Sequence, residues 1–156
     1  MFTGRLVGIY TASATAAPLA AHTEIDAIEG SGLAGDRYAD GTGIYSARGG
    51  DGRQVTLVER EVIAAMNDEC GVELAEHETR RNLVTEGVPL HHLVGATFRI
   101  GDVVLRGVRS APPCAHLERL TRPGVRKALE NRGGLRADIV QGGTLRIGDE
   151  IAVVSG

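Results

Sequence analysis

Cys114 stands behind Pro112 and Pro113, at the head of Cys114-Ala115-His116-Leu117-Glu118-Arg119-Leu120, where Leu117 and Leu120 fall three apart. That spacing predicts a short helix, with proline tolerated only before it or in its first turn. A thiol at a helix start meets unpaired N–H groups and the positive end of the backbone dipole, and both favour the thiolate. Between Arg119 and Arg136 the chain sets Arg119, Arg122, Arg126, Lys127, Arg132 and Arg136 against Glu130, and these cations act in the same direction. The setting is that of a reactive thiolate, against the ordinary alternative of a free cysteine packed as a small hydrophobe.

Other chemistries fit less well. Cys70 lies on the apolar face of a predicted helix, near its C-terminal end, where the dipole disfavours a thiolate, and it reads as core packing. A zinc site from Cys114, His116, Cys70 and His91 or His92 lacks the usual ligand spacing. A cysteine-protease arrangement has no local nucleophile signature to support it. Lys127 is the one lysine, on a polar helical face beside Arg126, which argues against Schiff-base chemistry in this chain. Gly30-Ser31-Gly32-Leu33-Ala34-Gly35-Asp36-Arg37 has the glycine count of a dinucleotide fingerprint but no following helix or βαβ unit to complete it. Locally it and Arg132-Gly133-Gly134-Leu135-Arg136 read as solvated turns, the alternative being loops whose N–H groups and arginines suit a small anion.

The elements that must position these groups are mostly strands. Glycines dispersed through a chain of 156 residues suit many short strands joined by turns, and the length suits one domain, 1–156. The expected fold class is β-rich α+β, a folded-over sheet or barrel with a few short helices. Strands are predicted at Arg5 to Tyr10, Thr23 to Ile28, Gln54 to Val58, Thr79 to Val84, Thr97 to Ile100, Val103 to Val108, Arg136 to Val140 and Glu150 to Val154. The clearest helix is Glu59 to Cys70, with Val62, Ile63, Met66 and Cys70 on one face. Shorter helices are predicted after Cys114 and after Pro123, and a helical turn at Pro89 to Val94 carrying His91 and His92. Two echoing segments, around Gly101-Asp102 and Gly148-Asp149, read as strand, tight turn, strand. Gly41 to Gly52 reads as a surface loop or a lid.

Composition narrows the class. A formal net charge of -3 argues against general nucleic-acid binding, and no apolar run approaches the roughly 18 residues that span a bilayer. Two cysteines make no disulfide framework, and with no export signal read at the N-terminus the expected compartment is the cytoplasm.

In order and spacing, several segments together resemble the MOSC domain, the family named for the C-terminal domain of molybdenum-cofactor sulfurases. The resemblance is carried by Gly32-Leu33-Ala34-Gly35-Asp36-Arg37-Tyr38, Arg53-Gln54-Val55-Thr56-Leu57, Arg80-Arg81-Asn82-Leu83-Val84-Thr85 and Leu93-Val94-Gly95 leading to Ile100-Gly101. It continues through Pro113-Cys114, Arg132-Gly133-Gly134-Leu135-Arg136-Ala137 and Gly143 to Ile147-Gly148-Asp149. The resemblance implies a β-barrel-like fold and one functional cysteine, Cys114. That cysteine would take up sulfur as a persulfide from a pyridoxal-phosphate cysteine desulfurase and pass it to a sulfur acceptor or molybdenum-cofactor protein. Pyridoxal phosphate then belongs to the partner. In reductase members the matching cysteine coordinates molybdenum, so the alternative is a molybdenum-cofactor-binding reductase of N-hydroxylated compounds, served by a separate electron-transfer partner. Arg37, Arg53, Arg80, Asn82, Arg132, Gly133 and Gly134 are the residues the resemblance marks for the groove beside Cys114.

The sequence departs from larger relatives in lacking a domain for electron delivery. Arg48-Gly49-Gly50-Asp51-Gly52 also stands where the hydroxylaminopurine-reducing members carry a histidine-bearing loop. Both departures favour a sulfur carrier, a sulfurtransferase-like role, over a self-sufficient oxidoreductase. A third reading is a small-ligand-binding barrel with an inert cysteine.

Overall fold

In the first strand, β1 (Gly4–Thr11), buried and more exposed residues alternate along Gly4-Arg5-Leu6-Val7, the signature of a strand with one face on a core. The computed structural model describes residues 2–14, 16–37, 39, 52–69, 71, 74–112, 121, 124, 127 and 132–155. After β1 come β2 (Ala20–His22), β3 (Glu24–Ile28), β4 (Gly32–Leu33), β5 (Val55–Glu59), the helix α1 (Arg60–Glu69) and β6 (Leu83–Glu86). Then follow β7 (Thr97–Ile100), β8 (Val103–Ser110), β9 (Leu135–Gln141), β10 (Gly143–Arg146) and β11 (Glu150–Ser155).

The large sheet runs β11-β7-β8-β9-β5-β6-β1, and β1 closes it by pairing back onto β11, giving a seven-stranded barrel. One edge of β1 is divided: Gly4 and Arg5 pair with β11, whereas Ile9, Tyr10 and Thr11 pair with β2. A three-stranded sheet, β10-β3-β4, packs against the barrel and adds Ile25, Ala27, Leu33 and Leu145 to the core around Leu6, Leu57, Phe98 and Leu105.

The β-rich expectation holds, and most predicted strands lie within a residue or two of those observed. Three differences have clear causes. Thr79 to Val84 is not one strand: Glu76–Thr79 is a 3-10 turn, Arg80 is left-handed at φ 59, and the strand begins at Leu83. Local side-chain bonds win over the extended chain there, with Thr79 Oγ1 donating to the Glu76 carbonyl. Glu59, expected in the first turn of the helix, is instead the last residue of β5. The strand before it, Val55-Thr56-Leu57-Val58, is buried throughout because α1 covers its outer side and packs Ile63 against Val58 and Val84. β5, α1 and β6 thus form a parallel crossover, which a β-rich reading of the chain misses.

The echoed turns also diverge. Gly101-Asp102 closes a two-residue hairpin with Ile100 opposite Val103, and Gly101 supplies the positive φ of 58. Gly148-Asp149 joins β10 in the small sheet to β11 in the barrel, so no hairpin forms. Its bonds go elsewhere: Gly148 N–H donates to the Leu6 carbonyl, Leu6 N–H to the Asp149 carbonyl, and the Asp149 carboxylate accepts from Arg146 N–H. Among the described residues no helix is long and apolar enough to cross a membrane. The predicted helices after Cys114 and Pro123 and the loop 41–51 lie outside the described residues.

Candidate functional site

Three strands adjacent in the barrel bring distant parts of the sequence to one end. β9 runs antiparallel to both β8 and β5, so the last residues of β8 and β5 meet the first residues of β9. The register is explicit: Leu135 pairs with Ser110 on one side and with Leu57 on the other. Beyond that row the chain opens into a cavity of about 420 Å³. Its walls are Glu59 and Val62 from the β5–α1 junction, Leu90 and His91 from the 3-10 turn Leu90–Leu93, Ser110, Ala111 and Pro112 after β8, and Arg132, Gly133 and Gly134 before β9.

Cys114 lies outside the described residues, as do Cys70 and His116. The chain leading to Cys114 is described as far as Pro112, on the cavity wall. Its placement rests on Arg81, a buried arginine. Arg81 Nε donates to the Gly133 carbonyl at 2.8 Å, and Nη2 donates to the carbonyls of Ala111 at 2.8 Å and Pro112 at 3.3 Å. One guanidinium therefore ties the approach to Cys114 to the glycine turn opposite. Ala111 N–H donates to the Gly134 carbonyl at 2.8 Å and completes the link. Gly134 has φ 112, and a Cβ there would lie 1.9 Å from the Leu57 carbonyl oxygen, so a side chain would drive β5 and β9 apart.

Glu59 is the titratable group of this cavity whose ionisation is most altered. Burial, and secondarily the nearby Glu61 charge, raise its pKa; His91, a bond from the Leu90 N–H and His92 pull the other way without cancelling the rise. His91 and His92 are both exposed, with rings edge to face at 4.3 Å, and only His91 lines the cavity. Among the described residues no group of three or more His, Cys, Asp and Glu gathers as a metal site.

The residues marked by sequence separate into distinct places. Arg132, Gly133 and Gly134 line the cavity beside the Cys114 approach. Arg37 and Arg80 meet in a second cluster: Arg37 pairs with Asp36 at 3.2 Å and donates to the Arg80 carbonyl, and Arg80 donates to the Ala17 carbonyl at 2.8 Å. Asp36 also accepts from Ala12 N–H at 3.0 Å, so this cluster fastens the segment after β1 to the chain before β6. Arg80 lines a separate pocket of about 350 Å³ with His77, Glu78 and Thr121. Asn82 is fully buried between strands: its Oδ1 accepts from Thr56 N–H and Oγ1, and its Nδ2 donates to the Tyr10 carbonyl. Arg53 precedes β5, at the opposite end of that strand from Glu59.

Sequence reasoning passed over Arg81 and Glu59. Arg81 sits inside the Arg80-Arg81-Asn82 segment already singled out, and only its neighbours were marked. For Glu59 there was a weak signal, an acid abutting a wholly apolar strand.

The profile of the MOSC domain matches residues 45–152. No functionally curated protein matches the sequence. Among solved structures, the YuaD protein from Bacillus subtilis superposes with a TM-score of 0.81 at 19% identity, covering 100% of both chains. YiiM from Geobacillus stearothermophilus superposes with a TM-score of 0.72 at 13% identity, over 97% of this chain and 75% of that one. YiiM from Escherichia coli gives 0.68 at 19%, over 97% and 70%. At such identities the structural likenesses speak for the fold, while the profile covers well over half of the sequence. A closed barrel, a glycine turn buttressed by arginine and a cavity at the approach to Cys114 are thus set in a chain that belongs to the MOSC domain family.

Proposed function

We propose that this protein is a sulfur carrier that takes up sulfur as a persulfide on Cys114 and hands it on for molybdenum-cofactor or other metal–sulfur maturation. The observation that carries this reading is the Arg81 clamp, which fixes Ala111 and Pro112 against the Gly133 turn at the cavity wall. Pro112, the last described residue before Cys114, lines the cavity, and Cys114 follows it by two positions in the sequence.

In the first step the Cys114 thiolate attacks the outer sulfur of a desulfurase persulfide. A new S–S bond forms, the old one breaks, and the desulfurase cysteine leaves as a thiolate, with no net oxidation. A second thiolate, on the acceptor, then attacks the outer sulfur and Cys114 departs as a thiolate. Arg132 and the N–H groups around Gly133-Gly134 favour the anionic sulfur. Pyridoxal phosphate acts on the partner desulfurase, in the cytosol.

A bound molybdenum cofactor, with Cys114 as its metal ligand, would supply two-electron redox chemistry. The described cavity fits its phosphate poorly, because the Glu59 carboxylate shares the lining with Arg132. Arg37 and Arg80 direct donors at the protein's own oxygens in another cluster. The carrier reading is therefore preferred, and no step is derived through that cofactor.

Incubation with L-cysteine and a cysteine desulfurase, followed by intact-mass and peptide mass spectrometry, should place one extra sulfur on Cys114. Cys70→Ser should label as fully as the parent. Equal labelling of Cys114→Ser would overturn the proposal.

A further inference from the structure

β2 is the outermost strand of the large sheet, and what its outer side offers follows from the bonds of β1. Tyr10 turns both main-chain groups toward β6: its N–H donates to the Asn82 carbonyl at 2.7 Å, and its carbonyl accepts from Asn82 Nδ2 at 3.1 Å. Main-chain groups alternate sides along a strand, so Ile9 and Thr11 face β2, where they stand opposite His22 and Ala20. Ala21, opposite Tyr10, is therefore the residue of β2 whose N–H and C=O both point away from the sheet. Among the described residues no hydrogen bond takes these groups up, and Ala20 and Ala21 are both exposed. Two residues on, the same side is filled: the Thr23 carbonyl accepts from Ile147 N–H at 3.0 Å, just past the end of β10. The opening thus runs from Ala21 back toward Leu19. Its stretch of chain, Ala16-Ala17-Pro18-Leu19-Ala20-Ala21-His22-Thr23, has no Asp, Glu, Lys or Arg to keep another strand away.

We infer that this edge pairs with the same edge of a second copy of the chain, antiparallel about a two-fold axis at Ala20. Thr23 decides the register. An axis at Ala21 would set Leu19 of one copy opposite Thr23 of the other, where Ile147 already stands. An axis at Ala20 sets Leu19 opposite Ala21 and avoids that overlap. Ala21 and Leu19 then exchange N–H···O=C bonds at both ends of the contact, four bonds in all. The two Ala20 residues form the closely spaced pair, with Cα atoms about 4.5 Å apart, which a methyl side chain suits. A two-fold contact sets each group near its own copy, so a charged edge would repel itself, and this edge carries no charge to repel. Three residues a side, against about 20 in a stable complex, make this a weak dimer that forms at high concentration. No residue lining the cavity beside Pro112 belongs to the edge, so the pairing is independent of the carrier reading.

The test is sedimentation equilibrium of the full chain from about 10 µM to about 1 mM at about pH 8, where an ordinary imidazole is neutral. The weight-average mass should climb from that of one chain toward that of two. Ala21→Pro removes an N–H that the barrel's own pairing does not use, a change that edge strands tolerate, and should weaken the dimer at least about tenfold. Ala20→Lys and Ala20→Glu each place like charges at the axis, so each should stay a single chain, while an equal mixture of the two should recover dimerisation. Thr144→Lys, on the edge strand β10 of the small sheet, should leave the parent's behaviour unchanged. Circular dichroism checks that each variant keeps its barrel, and the charge pair reads the edge should Ala21→Pro unfold. A single-chain mass at every concentration, dimers that survive Ala20→Lys, or no recovery in the mixture overturns the inference. So does loss of the dimer in Thr144→Lys, which would move the contact to β10.

Discussion

Arg81 and Glu59 are the residues on which the cavity depends most. Arg81 holds three backbone carbonyls from two separate segments, and hydrogen bonds from a charged donor in a buried setting are each worth more than neutral ones. Arg81→Met keeps the aliphatic stem but strands those carbonyls. It is expected to lower the unfolding free energy by about 3 kcal/mol, measured by denaturant titration, and to slow sulfur uptake on Cys114 beyond what the loss of folded protein explains. For Glu59 the sign is set by its raised pKa. The folded chain keeps a proton that the unfolded chain has released, so stability falls as pH climbs from the ordinary carboxylate value through the raised one. Glu61, His91, His92 and Arg132 are the charged or titratable groups about it. Glu59→Gln should therefore raise Tm at pH 7 to 8, with the gain shrinking toward pH 4. Neither residue stood out in the sequence, because the worth of an arginine among arginines, or of one acid among many, depends on what is packed against it.

At the scale of elements, the site exists because β8, β9 and β5 are neighbours. Gly134 is where this adjacency is tightest, and Gly134→Ala forces a Cβ toward the Leu57 carbonyl while straining φ. The expected cost is about 3 kcal/mol or more, visible as a lower midpoint in thermal or denaturant unfolding. Gly148→Ala is the comparison: it also has positive φ, but no atom lies within 4 Å of the added carbon, so it should cost only about 1 kcal/mol. Strand locations were largely legible, since alternation and β-branched runs are local signals; Thr97 to Ile100 was found to the residue. What escaped were places where the local signal is shared by two outcomes. Gly101-Asp102 and Gly148-Asp149 read alike, yet one closes a hairpin and the other carries the chain between sheets. The buried run of β5 was legible as a strand, but the helix that buries its outer face was not legible as a parallel crossover.

The whole molecule is a barrel with one short seam. β8 and β9 pair along most of their length, from Val104 opposite Gln141 to Ser110 opposite Leu135, whereas closure rests on Gly4 opposite Ile151 and Arg5 opposite Glu150, extended by the Leu6–Asp149 and Gly148–Leu6 bonds. Native-state hydrogen exchange should show the Leu6 and Gly148 amides opening well before those of β8 and β9. Ile151→Ala, which empties a fully buried position at the seam, should lower stability by about 2–5 kcal/mol. By itself the sequence determined the β-rich class, the likeness to the MOSC domain and Cys114 as the residue to test, because periodicity, turn chemistry and ordered motifs are properties of neighbours along the chain. Only the tertiary structure decided which marked residues share a cavity. Strand order and barrel closure bring Glu59, Pro112 and Arg132 to one end and send Arg37 and Arg80 to another cluster, and that partition depends on pairings between segments tens of residues apart.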